Sequence, residues 1–142
     1  MKVAVMPAAV LTAGIACTPL AQADPCTTQA CLQKSFAEAG GPYIGSWGAH
    51  KEGVTVGSDG SGTETSDYGT ITFKMNAVST QEPTAYGGVV NGGGRIRTGA
   101  YVTMQLVDGG HGMLFSVGGG DQGFPFCKIV NGSKVNSADC GA

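Results

Sequence analysis

Two histidines, five cysteines and one close pair of arginines are the residues of this 142-residue sequence whose types and spacing could do chemistry. His50 sits beside Lys51-Glu52, and His111 follows Asp108-Gly109-Gly110, so both fall in turn sequence. A zinc site built from His50, His111 and Asp108 or Asp121 has suitable ligand types, but no H-E-x-x-H or comparable spacing supports it. The expectation is no metal. There is no G-x-S-x-G elbow to present a serine nucleophile, and a hydrolase would need a histidine brought beside a carboxylate and a hydroxyl in a cleft. Gly118 to Gly123 spells G-x-G-x-x-G, yet Phe124-Pro125 follows where a helix N-terminus would have to receive the phosphate. These absences point to a non-enzymatic protein with no cofactor.

Arg95 and Arg97 begin the longest alternating run of the chain, Arg95 to Val107. On a strand, Arg95, Arg97, Tyr101, Thr103 and Gln105 share one face, and Ile96, Val102, Met104 and Leu106 share the other. The polar face is either a solvated exterior or the lining of a cavity for an anionic ligand. Alternation alone does not settle which face is inside. With Trp47, the single tryptophan, the candidate ligand-binding residues are Trp47, Arg95, Arg97 and Tyr101.

The thiols speak for export. Setting aside Cys17, which lies in the leader, Cys26, Cys31, Cys127 and Cys140 form an even set in a small chain, and three pairings exist. The local pairs Cys26–Cys31 and Cys127–Cys140 are expected, because no cysteine interrupts the long region between them. A four-thiolate metal site would want paired C-x2-C spacing, which is missing.

The elements that must position these residues begin after a leader. Lys2, the apolar stretch from Val3 to Ala16 and the small-x-small site Ala21-Gln22-Ala23 have the anatomy of a signal peptide over residues 1–23, with a mature start at Asp24. The stretch is short of the about 20 residues that span a bilayer, so no transmembrane segment is expected in the mature chain. Gly14-Ile15-Ala16-Cys17 resembles a lipobox. A lipid-anchored envelope protein acylated at Cys17 is therefore the alternative to a secreted one. Residues 24–42 form the one helical candidate, with Leu32 and Phe36 at helical spacing and Gly40-Gly41-Pro42 as its stop.

Residues 43–142 read as strand and turn. Val54 to Val56 and Ile71 to Ala77 alternate around Asp59-Gly60-Ser61-Gly62, and further short runs end at Asn91-Gly92, Asp108-Gly109 and Asn131-Gly132. The fold class expected is all-β: a small antiparallel meander barrel or sandwich of seven to eight strands with a short N-terminal helix. Charged residues make up only 13% of the chain and the formal charge is −2, with no basic stripe, which argues against a nucleic-acid partner.

Gly45-Ser46-Trp47, opening the first strand of a meander just after a short helix, resembles the G-x-W of the calycin group, the lipocalins and the avidin-like barrels. The resemblance covers about 30 residues, those from the short helix to the D-G-x-G-like turn, and implies a barrel that carries a small apolar ligand, with the tryptophan closing one end. The biotin site of avidins does not carry over, since Ala49 stands where their pattern has Asn and Trp47 is alone. Lipocalins cover the tryptophan with a late Arg; the only such charge in the last strand here is Lys128. The export signal, the start Asp24-Pro25 and the Gly-rich β body also resemble small exported proteins of mycobacteria and related actinobacteria. The functional expectation is a secreted β-barrel module binding a small molecule or a cell-envelope or host protein. The alternative is a structural or interaction module with a packed core and no pocket.

Overall fold

The computed structural model describes residues 29–119, 123–135 and 140. The expected leader, with Cys17, and Cys26 and Asp121 lie outside them. The chain enters through a helical turn α1 (Gln29–Leu32), a short strand β1 (Gln33–Ser35) and a second turn α2 (Phe36–Ala39). A single helix over this stretch is thus not what forms. The long strand that β1 joins explains why: its last residues run past the end of its neighbour and leave backbone groups unpaired, and Gln33–Ser35 take them, with Gln33 opposite Ser79. Ser35 then caps α2, its hydroxyl accepting from the Glu38 amide at 3.3 Å.

Eight strands follow as β2 (Gly45–Gly48), β3 (Gly53–Val56), β4 (Ser61–Ser66), β5 (Gly69–Ser79), β6 (Thr84–Asn91), β7 (Tyr101–Val107), β8 (Gly112–Val117) and β9 (Phe124–Val130). Each pairs antiparallel with the next, and β9 returns to β2, so β2 to β9 close an up-and-down barrel. Register shifts in the β5–β6 ladder, after Thr72 and after Met75, give the 11-residue β5 the bend that closure needs. A last strand, β10 (Ser133–Lys134), folds back on the outside of β9 through an Asn131-Gly132 turn in which both residues have positive φ.

The apolar set of each strand faces inward. Trp47, Val54, Val56, Ile71, Phe73, Met75, Ala85, Val89, Val102, Met104, Met113, Phe115 and Phe126 form one buried core. The face of β7 left open by alternation is thereby settled: Val102 and Met104 are inside, and Tyr101 and Gln105 are outside. β7 starts at Tyr101, not at Arg95. Residues 92–100 are instead a tight loop with positive φ at Gly94 and Gly99 and a bridge between Gly93 and Ile96. β4 is the strand that alternation does not announce, because its inward positions are Gly62 and Glu64. A side chain at Gly62 would collide with the Phe73 ring, which occupies that space.

One end of the barrel is shut. Phe36 and Tyr43, both buried and 6.2 Å apart between ring centroids, plug it under the β3–β4 turn, where Gly60 lets Phe36 approach the backbone. In that turn the Ser61 amide and hydroxyl and the Lys74 ammonium donate to Asp59, and these contacts, the Ser61 amide first, hold its carboxyl down to about 2. On the outer face of β9, the Cys127–Cys140 disulfide, with Cα atoms 5.5 Å apart, ties Cys140 to the barrel wall. Cys31 is also disulfide-bonded, and its expected partner Cys26 lies outside the described residues. No helix among the described residues is long and apolar enough to cross a membrane.

Candidate ligand-binding site

The opposite end of the barrel is open. There the β2–β3 loop, the β4–β5 turn, the β6–β7 loop and the start of β9 surround a cavity of about 680 Å³. Its apolar walls are Ile71 from β5, Ile96 from the β6–β7 loop and Phe124 from β9, with Tyr68 at the rim. Phe124 leans on the core: it meets Phe126 edge-on at 5.7 Å, and Phe126 meets Phe115, which meets Phe73. The pocket is therefore the unfilled top of the same interior that the core fills below. A barrel of eight strands has room for little more than its own side chains or one small ligand, and this one divides its length between the two.

Two carboxyl side chains, Glu52 and Glu64, and one guanidinium, Arg95, join the apolar walls. Glu64 is only 7% exposed and lies on the inner face of β4, its cross-strand partners being Val54 on β3 and Ile71 on β5. A carboxylate between two aliphatic neighbours loses most of its hydration. Burial accordingly pushes its pKa up, the nearby Glu52 pushes it further, and the polar Ser66 side chain beside it offsets part of the rise. Glu52, on the loop before β3, is raised by burial and then by Asp67. Arg95 is exposed at the rim and, among the described residues, forms no ion pair with either glutamate.

The candidates named from the sequence are dispersed. Arg95 lines the pocket, and Arg97, two residues on in the same loop, does not. Tyr101 is on the outside of the barrel, stacked on Tyr86 at 6.0 Å. Trp47 is buried below the pocket and is not one of its walls; its Nε1 donates to the Tyr43 carbonyl at 3.0 Å, and Lys128 Nζ stands over its ring. Glu64 and Glu52 were missed, since Glu64 in Thr63-Glu64-Thr65-Ser66 has the look of a solvated turn. The signal that could have found it is position: counted back from the apolar face of β5 through the two-residue turn at Asp67-Tyr68, Glu64 falls opposite Ile71.

His50 in the β2–β3 loop and His111 in the β7–β8 turn sit at opposite ends of the barrel, which separates the two ligands a shared metal site would need. Among the described residues no group of three or more His, Cys, Asp or Glu side chains converges. The strand β9 follows the G-x-G-x-x-G text, so no helix N-terminus receives a phosphate there. No protein-family model matches the chain, and no curated protein or solved structure matches it.

Proposed function

We propose that this chain is an exported, non-enzymatic barrel that binds a small molecule in the pocket at the Tyr68–Phe124 end. The observation that carries the reading is a cavity of about 680 Å³ whose apolar walls continue the core and whose one buried charged side chain is Glu64. Ligand sites are concave, mostly apolar and furnished with a few placed polar groups, and volumes of roughly 300–1,000 Å³ are usual for them. A packed-core interaction module has no use for such a space. The reading takes the finer calycin likeness with it: the meander order and the Lys128 ammonium over Trp47 both support it. Export is supported by the Cys127–Cys140 bridge and the bonded state of Cys31, since disulfides persist in oxidising compartments.

Calorimetric titration of the oxidised protein with a panel of small amphiphiles, against an Ile96→Trp variant whose new ring fills the pocket, tests this. Saturable one-to-one binding that the variant loses is the expected result. Binding that persists unchanged in a folded Ile96→Trp protein places the ligand elsewhere and overturns the assignment.

A further inference from the structure

The charges of the pocket are not balanced by one another. Glu64 is more than nine-tenths buried in an aliphatic stretch of wall and faces the cavity, Glu52 faces it from the neighbouring loop, and the one cation lining it, Arg95, is exposed and unpaired to either. An exposed guanidinium is screened by water, whereas a carboxylate in the wall acts through a medium of lower dielectric constant. The field inside the pocket is thus set by the glutamates. Burial penalises both of them when ionised, with Glu52 adding to the penalty at Glu64 and Asp67 to that at Glu52, and a positive charge brought between the two glutamates would lower the cost of both.

Resting on the reading of this cavity as a ligand site, we propose that it takes an organic cation: a protonated amine on an apolar body, its nitrogen against Glu64 and Glu52 and its body against Ile71, Ile96 and Phe124. The walls suit such a molecule at both ends. Aromatic faces at the rim, Tyr68 and Phe124, attract a cation on its way in and cover an apolar tail once it is seated. The Ser66 hydroxyl donates to the Gly69 carbonyl, so the lone pairs of the Glu64 carboxylate are open to an N–H donor from the ligand. A charge-assisted bond of that kind is worth enough to discriminate the amine from its uncharged analogue.

Three probes matched in size, phenylbutylamine, phenylbutanol and phenylbutyrate, separate the possibilities when titrated into the oxidised protein at pH 7. The expected result is that the amine binds at least about tenfold more tightly than the alcohol, in line with a hydrogen bond to a charged group. Glu64→Gln should abolish that preference while leaving the alcohol's affinity within about twofold, because the pocket's shape is unchanged. Glu52→Gln, at a less buried position, should reduce the preference by a smaller factor and serves if Glu64→Gln does not fold. Equal binding of amine and alcohol, or tightest binding of phenylbutyrate through Arg95, overturns the cation proposal and leaves the binding barrel standing. Failure of all three probes to bind overturns both.

Discussion

Lys128 Nζ stands 5.3 Å from the centroid of the Trp47 ring, and the two residues face each other in register across β9 and β2, the strands that close the barrel. The seam between the first and last barrel strands is short, with only Trp47–Lys128 and Gly48–Cys127 in register, so side-chain contacts there matter more than elsewhere in the ring. Lys128→Ala should destabilise the fold by about 1 kcal/mol, the range of a partly buried cation–π contact, and Lys128→Arg should retain it. Urea unfolding followed by Trp47 emission measures this. A Lys128→Ala midpoint equal to that of the native protein would contradict the assigned role.

The same seam is backed by the Cys127–Cys140 bridge, which joins residues 13 apart in sequence. In the chain-entropy model a loop of this size contributes about 3 kcal/mol. The double variant Cys127→Ala/Cys140→Ala should lose stability of that order in denaturant, with the loss appearing as a lower midpoint and a somewhat larger m-value, since the unfolded chain freed of the crosslink is less compact.

Much of this architecture was legible beforehand. The alternation through Ile71, Phe73 and Met75 named the inner face of β5, that through Val102 and Met104 separated the two faces of β7 without saying which is inside, and the Asn131-Gly132 and Asp108-Gly109 pairs marked turns that form. Two misreadings have physical causes. Alternation continued by chance from Arg95 into a loop, where glycines at 94 and 99 take left-handed conformations that a strand does not use. β4 lacked the apolar period because Phe73 fills the place of its side chain at Gly62 and because Glu64 faces a pocket. The candidate site was only partly readable for the same reason. Arg95 was visible as a charge, but a buried carboxylate in a polar stretch has no local signature, and its role comes from register with Ile71 across the turn.

Glu64 should make stability depend on pH in a defined direction. Its folded-state pKa is raised, so the native state binds its proton more tightly than the unfolded chain does. The protein is therefore more stable, as far as this group is concerned, below the unfolded carboxyl value near 4.5, and loses that advantage as pH rises through the folded value. Glu64→Gln should raise the melting temperature at pH 7 and leave it nearly unchanged at pH 4, with Glu52→Gln showing a weaker form of the same trend. A Glu64→Gln protein less stable than the native one at pH 7 would mean that the carboxylate is compensated within the fold.

At the shut end of the barrel, Tyr43 presents a different imbalance. Its hydroxyl is buried with no hydrogen-bond partner among the described residues, and burial, with Tyr86 nearby, pushes its pKa up to about 12. Tyr43→Phe keeps the ring that packs on Phe36 and removes the orphaned group, so it should stabilise the protein by roughly 1 kcal/mol. Thermal or urea unfolding reads the sign directly.

The position a ligand takes in the barrel distinguishes a binding site at the open end from any other. The decisive measurement is isotope-labelled methyl NMR of the oxidised protein during titration with phenylbutylamine, following the isoleucine, valine and methionine signals. The prediction is that Ile71 and Ile96 shift progressively and saturate together, while Val102, Met104 and Met113 in the packed half of the barrel stay in place. Shifts confined to Val90, at the shallow groove on the outer face of β4 and β5, or no saturable shift at Ile71 and Ile96, would contradict it.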